Sequence, residues 1–420
     1  MLTRARAILL TTFVLAALAS AALLSKDAPS AKPEDVGLSS ERLARMDKFI
    51  HGYVDAGRTP GVVTLIARHG KVVHVDAYGK ADLASGRATR ADDIFRMYSM
   101  TKPITSVALL MLYEEGRFQL TDPLSRFFPA FADVKVLTGM SPTGGMLLDS
   151  PKRPITIQDV FRHSAGFTYG FFGASPVDKM YQDVNVFATD LDGLMAKLPK
   201  LPLLYQPGEQ WVYSVAHDVQ AALVEKLSGQ KFDDYVRQRI FTPLGMTDSV
   251  FKIPSDKQAR VPGLYTTGRD GKLVADNNPI GGANYGDAVF GGYSISTTAA
   301  DYAAFAQMLL NKGQLNGVRL LSPKTVELMA TNHLTPAALA SGALGPGTGY
   351  GLGVSVLMNP AQKGNVGSVG EFGWSGAAST HVLIDPKEDL VAIYCTQLMG
   401  GDFAIRAEFA TLLYQSIVGN

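Results

Sequence analysis

The chain has 420 residues, with 39 Lys and Arg against 38 Asp and Glu and a formal net charge of +1. This balance gives no indication of a nucleic-acid or anionic membrane partner, and the lone Cys395 excludes an intrachain disulfide and a Cys-cluster metal site. The apolar fraction of 46% is typical of a globular protein, and the length predicts about two to three structural units.

The first residues predict a secretory signal. Two arginines precede an uncharged run over residues 7–25, and residues 19–21 (Ala-Ser-Ala) form the small-x-small pattern of a cleavage site. We therefore predict a signal peptide over 1–21, a tether over 22–34 and a periplasmic or secreted protein. The alternative is an uncleaved anchor, because the uncharged run is close to spanning length.

Hydrophobic patterns predict the elements that follow along the chain. Ser39-Ser40-Glu41 is typical of a helix start and precedes an apolar stripe that runs to about residue 56. Apolar runs on both sides of residues 69–71, and again of residues 386–389, each predict a β-hairpin. The other predicted helices lie at 100–116, 156–163, 216–228, 232–240, 299–312 and 403–418.

Hairpins near both ends of the chain, with helices between them, predict an α/β (α+β) fold. One antiparallel sheet is built from both chain ends, is flanked by helices and is interrupted by an inserted, mainly helical lobe. We predict an α/β lobe over 35–97 and 290–420, and a helical lobe over 98–289.

Ser99 is the candidate nucleophile. With Lys102 it forms an S-x-x-K match, which is weak alone because residues 228–231 and 249–252 match as well. The match at 228–231 lies at a predicted helix end, and the one at 249–252 lies in a β-like run. Only Ser99 precedes a long helix that is apolar on nearly every face, and such a helix belongs in the interior.

The spacing of this pair suits nucleophilic catalysis. Residues i and i+3 share a helix face, so Lys102 is predicted beside the Ser99 hydroxyl. Positive potential at the helix start, together with burial, disfavours a charged ammonium, and a neutral lysine can accept the serine proton. The Ser99 N–H is free at the helix start to bind an oxyanion. The alternative is that Ser99 only caps the helix and that Lys102 lies along the surface.

Several segments resemble the serine β-lactamases and penicillin-binding proteins, in their class C-like branch. Ser99-Met-Thr-Lys-Pro-Ile resembles the active-site helix of this superfamily, and together the matching segments cover nearly all of residues 35–418 in family order. The resemblance implies a β-lactamase/transpeptidase-like fold with the active site between the lobes. The further matching segments are 118–124, 155–167, 207–215, 240–246, 291–298 and 374–377.

The resemblance also implies roles for residues outside the first motif. Tyr213 falls on the tyrosine of the Y-x-N motif, which shares proton transfer with the lysine in this family; the alternative is an aromatic residue of the core. Ala377 falls where the second oxyanion N–H lies, so the backbone N–H groups of Ser99 and Ala377 are the implied oxyanion hole. Gly376 would let substrate approach the strand closely.

Two departures from the family pattern change the expected substrate. Val215 stands where the asparagine of Y-x-N would be, and Trp374 stands where the lysine of K-T-G would be. Both remove polar groups that would hold a β-lactam. They strengthen the resemblance to the family VIII carboxylesterases, which often carry a W-x-G third motif. We predict that Val215, Trp374, Ser375 and Gly376 contact substrate.

Aromatic residues after residues 163–166 (His-Ser-Ala-Gly) are further candidates. Phe167, Tyr169, Phe171 and Phe172 could line an acyl or alcohol pocket, or could pack in the core or a lid. We predict Phe167 and Tyr169 as substrate-binding residues.

Three histidines near these motifs, His163, His217 and His381, are expected to be structural. The sequence contains no G-x-S-x-G motif and no His spacing typical of a metal site.

These patterns together predict a serine hydrolase that cleaves carboxylic esters through an acyl-enzyme on Ser99. No cofactor or metal is needed, and the expected partner is a small-molecule ester, with no nucleic acid and no membrane beyond the signal segment. The open alternatives are a β-lactamase, a D-amino-acid peptidase or amidase, an acyltransferase, and a non-catalytic penicillin-recognising protein.

Overall fold

The computed structural model describes residues 30–186, 190–276, 289–401 and 404–419. The predicted signal peptide and the first part of the predicted tether lie outside these residues. Within the described ranges, every helix is too short or too polar to cross a bilayer.

The helices alternate with short strands along much of the chain. In chain order they are α1 (Ser40–Asp55), α2 (Thr101–Glu114), α3 (Ile157–Phe161), α4 (Pro176–Asp183), α5 (Leu191–Lys197), α6 (Ala216–Ser228), α7 (Phe232–Val236), α8 (Ala299–Leu310), α9 (Pro323–Met329), α10 (Pro336–Ala340), α11 (Pro360–Lys363) and α12 (Ala404–Tyr414).

The strands concentrate near the two ends of the described chain. They are β1 (Gly61–Arg68), β2 (Lys71–Gly79), β3 (Phe95–Arg96), β4 (Val136–Met140), β5 (Met146–Asp149), β6 (Tyr265–Thr267), β7 (Leu273–Ala275), β8 (Ser296–Thr297), β9 (Gln314–Leu315), β10 (Val318–Arg319), β11 (Thr348–Tyr350), β12 (Ser355–Leu357), β13 (Phe372–Ser375), β14 (His381–Asp385), β15 (Leu390–Cys395) and β16 (Leu398–Met399).

The main sheet joins the two ends of the chain, and this confirms the predicted architecture. Its strand order is β11-β12-β13-β14-β15-β1-β2, and the neighbouring strands are antiparallel. The junction lies between β1 and β15, where Val63 pairs with Cys395. Every residue of β1 is buried, which explains why its sequence is mostly apolar and does not alternate between apolar and polar residues.

Helices cover both faces of this sheet. On one face, α1 begins after Ser39, whose side chain accepts the N–H of Arg42, and its apolar stripe packs with residues of α12. On the other face, α8 contacts β1 and β15, and α2 packs on α6 of the inserted region. The long helix α2 is buried over nearly its whole length, as its all-round apolar pattern predicts.

Three local features differ from the predicted elements. The inserted region contains the hairpin of β4 and β5, whose exposed Met140 and Leu147 obscure the expected alternation. The helix predicted over 232–240 changes to a π-helical turn at Arg237–Phe241. The last helix ends at Tyr414 because the chain then leaves the helix to pair Ile417 with Leu38.

Candidate active site

Ser99 lies in a tight turn immediately before α2. The turn is the 3₁₀ segment Tyr98–Met100, and Tyr98 has a φ of 45°, in the left-handed region that a bulky residue adopts only when its surroundings hold it there. The Tyr98 ring is buried against Leu264, Ala378 and Met399. This packing fixes the peptide that precedes the candidate nucleophile.

Lys102 lies in the first turn of α2 and is fully buried. Its Nζ is 3.0 Å from Ser99 Oγ and donates a hydrogen bond of 2.8 Å to the carbonyl oxygen of Gly292. The same nitrogen is 4.6 Å from the centre of the Tyr213 ring. The i, i+3 pair predicted from the S-x-x-K spacing is therefore formed, and Tyr213 joins it.

Tyr213 is held at the site by other aromatic residues and by Trp374. Its ring stacks on that of Trp211 at 5.8 Å and meets that of Tyr169 edge to face at 5.3 Å. The indole N–H of Trp374 donates to the Tyr213 hydroxyl oxygen at 3.3 Å. A donor from the third motif thus lies where a phenolate on Tyr213 would carry its charge.

The third motif lies at the end of β13 and packs against the turn that carries Ser99. Thr380 Oγ1 donates to the Met97 carbonyl oxygen at 3.3 Å, and a Cβ added to Gly376 would lie 2.3 Å from the same oxygen, so only glycine fits there. Within the described chain, the backbone N–H groups of Ser99 and Ala377 donate to no protein acceptor. Both residues line one cavity, so both N–H groups can serve an oxyanion.

This cavity has a volume of about 1260 Å³; aromatic rings line it around Ser99, and Lys363, Glu371 and Arg406 also line its wall. Phe172 at its mouth is 65% exposed, and its ring centre lies 5.8 Å from that of Tyr213. Predicted site residues on the wall are Ser99, Tyr169, Tyr213, Trp374, Ser375, Gly376 and Ala377, joined there by Tyr98, Phe171, Phe172, Tyr293, Leu344, Leu357 and Phe372.

Two predicted substrate-binding residues lie elsewhere. Val215 is fully buried at the start of α6, where its carbonyl oxygen accepts the N–H of Asp218. Phe167 is buried against the ring of Phe131 at 5.9 Å. Neither is among the described residues that line the cavity. The prediction that they contact substrate is corrected, because both side chains are packed into the core.

The three histidines occupy different positions. His163 Nδ1 accepts the N–H of Ser214 at 3.2 Å, and burial lowers the pKa of His163 and of the neighbouring His217 well below the usual value. His381 lines the cavity and lies 2.8 Å from Ser375 Oγ, and burial lowers its pKa to about 3. All three imidazoles are therefore neutral near pH 7.

The sequence patterns did not single out Asp218, on the first turn of α6. Its fully buried Oδ1 accepts the N–H of Gly292 at 2.7 Å, and Gly292 is the residue whose carbonyl oxygen binds Lys102. The available signal was an acidic residue five positions after Tyr213, in the first turn of a helix whose following turns are largely apolar. Across the described ranges, no group of His, Cys, Asp and Glu side chains is arranged to hold a metal ion.

A sheet built from both chain ends, with an inserted helical region and a Ser-x-x-Lys pair beside a tyrosine, defines the β-lactamase-like class of serine hydrolases. Residues 46–415 match the family model described as Beta-lactamase, and the chain belongs to this family.

Characterised relatives include esterases. The chain is 32% identical over 381 residues to lovastatin esterase of Penicillium rubens, covering 84% of this chain and 92% of that protein. It is 30% identical over 391 residues to esterase EstB of Burkholderia gladioli, covering 88% of this chain and 94% of that protein. The solved structure of EstCE1, described as a hydrolase with promiscuous acyltransferase activity, shares the fold with a TM-score of 0.73 and 23% identity. The match covers 90% of this chain and 99% of that one.

Proposed function

We propose that this protein is an exported carboxylesterase that forms an acyl-enzyme on Ser99. The observation that carries the proposal is the 3.0 Å approach of Lys102 Nζ to Ser99 Oγ, at the wall of a large cavity that aromatic rings line around Ser99. Relatives named as esterases support ester substrates.

Acylation begins when Ser99 Oγ attacks the ester carbonyl carbon. As the new C–O bond forms, the Ser99 proton passes to Lys102 Nζ, and the carbonyl electron pair moves onto the oxygen. The backbone N–H groups of Ser99 and Ala377 bind this oxyanion. The C–O bond to the alcohol then breaks, and the proton held by Lys102 and Tyr213 passes to the departing oxygen.

Deacylation repeats these steps with water as the nucleophile. Lys102 and Tyr213 take a proton from the water, the second tetrahedral intermediate occupies the same oxyanion hole, and collapse returns the proton to Ser99 Oγ. An alcohol in place of water would give acyl transfer by the same steps. These residues complete both half-reactions without a cofactor.

The cavity favours esters with bulky apolar groups near Ser99. Trp374 supplies an apolar surface and one N–H donor where a β-lactamase has a lysine for the carboxylate of its substrate. The aromatic rings of Tyr169, Phe171 and Phe172 at the mouth suit an apolar acyl or alcohol group. We therefore expect short-chain aryl esters to be turned over much faster than the β-lactam nitrocefin.

Mass spectrometry of the intact protein tests the nucleophile. A fluorophosphonate probe is expected to add one phosphonyl group to the wild type and none to Ser99→Ala, because the probe reacts at the activated serine. Ser228→Ala is the matched control, since Ser228 belongs to another S-x-x-K match and its hydroxyl bonds the Val224 carbonyl oxygen. A labelled Ser99→Ala variant, or an unlabelled wild type, would contradict the proposal. Nitrocefin turnover equal to that of p-nitrophenyl butyrate would favour the β-lactamase alternative.

Trp374→Phe tests the contribution of the third motif. The variant keeps an aromatic wall but loses the N–H that donates to the Tyr213 oxygen. A hydrogen bond between neutral groups contributes about 0.5–1.5 kcal/mol, so we expect kcat toward p-nitrophenyl butyrate to fall by about two- to tenfold. Steady-state kinetics would show this chiefly in kcat. A loss confined to KM would mean that Trp374 only shapes the cavity.

A further inference from the structure

Asp218 is a buried carboxyl group connected to the catalytic lysine through one residue. Its Oδ1 accepts the N–H of Gly292 at 2.7 Å, and the carbonyl oxygen of Gly292 accepts from Lys102 Nζ at 2.8 Å. Both side chains are fully buried. Asp218 Oδ2 has no hydrogen-bond partner in the described part of the chain, so one oxygen of the carboxyl group is neither solvated nor paired.

Among the described groups that face Asp218, Lys102 is the one that gains a positive charge in the proposed reaction. From the cavity wall, Tyr169 and Tyr293 face the carboxyl group, and burial raises the pKa of each tyrosine, so both stay neutral. His217, next to Asp218 on α6, and His163 behind it are neutral because burial lowers their pKa values. A negative charge on Asp218 therefore interacts mainly with Lys102.

We propose that Asp218 is a positioning residue whose carboxylate stabilises the ammonium that forms on Lys102 when Ser99 gives up its proton. This inference rests on the proposed function, because it requires Lys102 to accept that proton. The transfer creates a positive charge on a fully buried nitrogen. A nearby buried carboxylate lowers the free energy of this charge, and thus of the transition state that leads to it.

The ionisation of Asp218 gives the inference a pH signature. Burial raises the pKa of Asp218 to about 7, against the lowering effects of Lys102 and of the Gly292 N–H. Above pH 7 the carboxylate is present and assists proton transfer. Below pH 7 it is protonated, and the assistance is lost. The reaction at Ser99 should therefore slow as the pH falls through about 7.

Asp218→Asn removes the charge and keeps the shape. The amide oxygen can still accept the N–H of Gly292, so the contact that positions Gly292 is preserved. The readout is the rate constant for labelling of Ser99 by a fluorophosphonate, in which the Oγ–P bond forms, fluoride leaves and the serine proton passes to Lys102. This rate is independent of which ester the protein hydrolyses.

At pH 8 we expect Asp218→Asn to label about tenfold more slowly than the wild type, and at pH 6 the two rates should converge, because wild-type Asp218 is then neutral as well. Equal rates at pH 8, or a constant ratio from pH 6 to pH 8, would overturn the inference. The inference would also be overturned if the labelling rate of the wild type did not fall as the pH decreases through about 7. This measurement needs no variant.

Asp301→Asn is the matched control. Asp301 is also a buried carboxyl in the first turn of a helix, α8, and it accepts the backbone N–H of Asp248 at 2.6 Å. This variant should keep the wild-type pH profile. If labelling of Ser99 depends on Asp218 but no ester is hydrolysed, only the proposed esterase function is contradicted. If esters are hydrolysed but the pH profile of labelling does not depend on Asp218, only this inference is contradicted.

Unfolding supplies an independent measurement. A buried carboxyl with a raised pKa stabilises the folded state while it is protonated, and this stabilisation decreases as the pH rises from about 4 to about 7. Asp218→Asn should therefore have a higher Tm than the wild type at pH 8, and this difference should shrink as the pH falls toward 4. A lower Tm at pH 8 would show that Asp218 serves stability and would contradict its proposed role.

Discussion

Replacing Lys102 by methionine is expected to lower kcat/KM toward p-nitrophenyl butyrate by about 10³-fold or more, the range for loss of a general base that activates a nucleophile. Methionine fills a similar volume but cannot accept the Ser99 proton. Lys102 supplies the amine nearest Ser99 Oγ, at 3.0 Å, and it is fully buried. Because the side chain is buried, bulk solvent does not take over its role. Stopped-flow or steady-state release of p-nitrophenol measures the loss.

Lys231→Met is the matched control for this substitution. Lys231 follows Ser228 at the same spacing, but its side chain is 68% exposed, and its Nζ lies 3.5 Å from Glu225 Oε2. It should retain wild-type activity. If Lys102→Met retained more than about a tenth of the wild-type kcat/KM while remaining folded, proton removal from Ser99 would have to be assigned to another group.

Tyr213→Phe is expected to lower kcat by about 10²-fold, because the variant loses only a hydroxyl that takes part in proton transfer. The ring contacts with Trp211 and Tyr169 do not involve the hydroxyl, so the fold and the cavity wall should persist. Steady-state kinetics on a p-nitrophenyl ester series would show a similar loss for every chain length.

The double variant Lys102→Met/Tyr213→Phe separates a shared role from two independent ones. Lys102 Nζ lies 4.6 Å from the Tyr213 ring centre, so we expect the two groups to act as a unit. The double variant should then be little worse than Lys102→Met alone, because groups that act together show strongly non-additive losses. A loss equal to the product of the two single losses would contradict a shared proton-transfer pair.

The parts of the site that depend on short-range geometry could be predicted from the sequence. The three-residue spacing of Ser99 and Lys102 determines their proximity once a helix forms, and the all-round apolar character of residues 104–113 predicts that this helix is buried. Hairpins at both chain ends predict the sheet in the same way. These patterns succeed because each depends on backbone periodicity alone.

Side-chain direction in irregular segments could not be predicted. Phe167 and Tyr169 lie two residues apart in a loop, yet one packs in the core and the other lines the cavity. Val215 lies immediately before α6 with its side chain in the core, an orientation that its apolar character alone does not reveal. Tyr98 adopts its unusual φ through contacts with residues distant in the chain. Such outcomes depend on tertiary packing, which no local pattern contains.

The pairing of β1 with β15 has a consequence for how the chain reaches its native state. Val63 and Cys395 are neighbours in the sheet although 332 positions separate them in the sequence. The centre of the sheet cannot close during synthesis until residues near the carboxyl end have emerged. Until then β1, which is mostly apolar and buried throughout in the native sheet, is paired only with β2. Contacts between residues so far apart in sequence form slowly, and the unpaired edge of β1 is prone to aggregation until they form. We therefore expect folding of this chain to depend on chaperones.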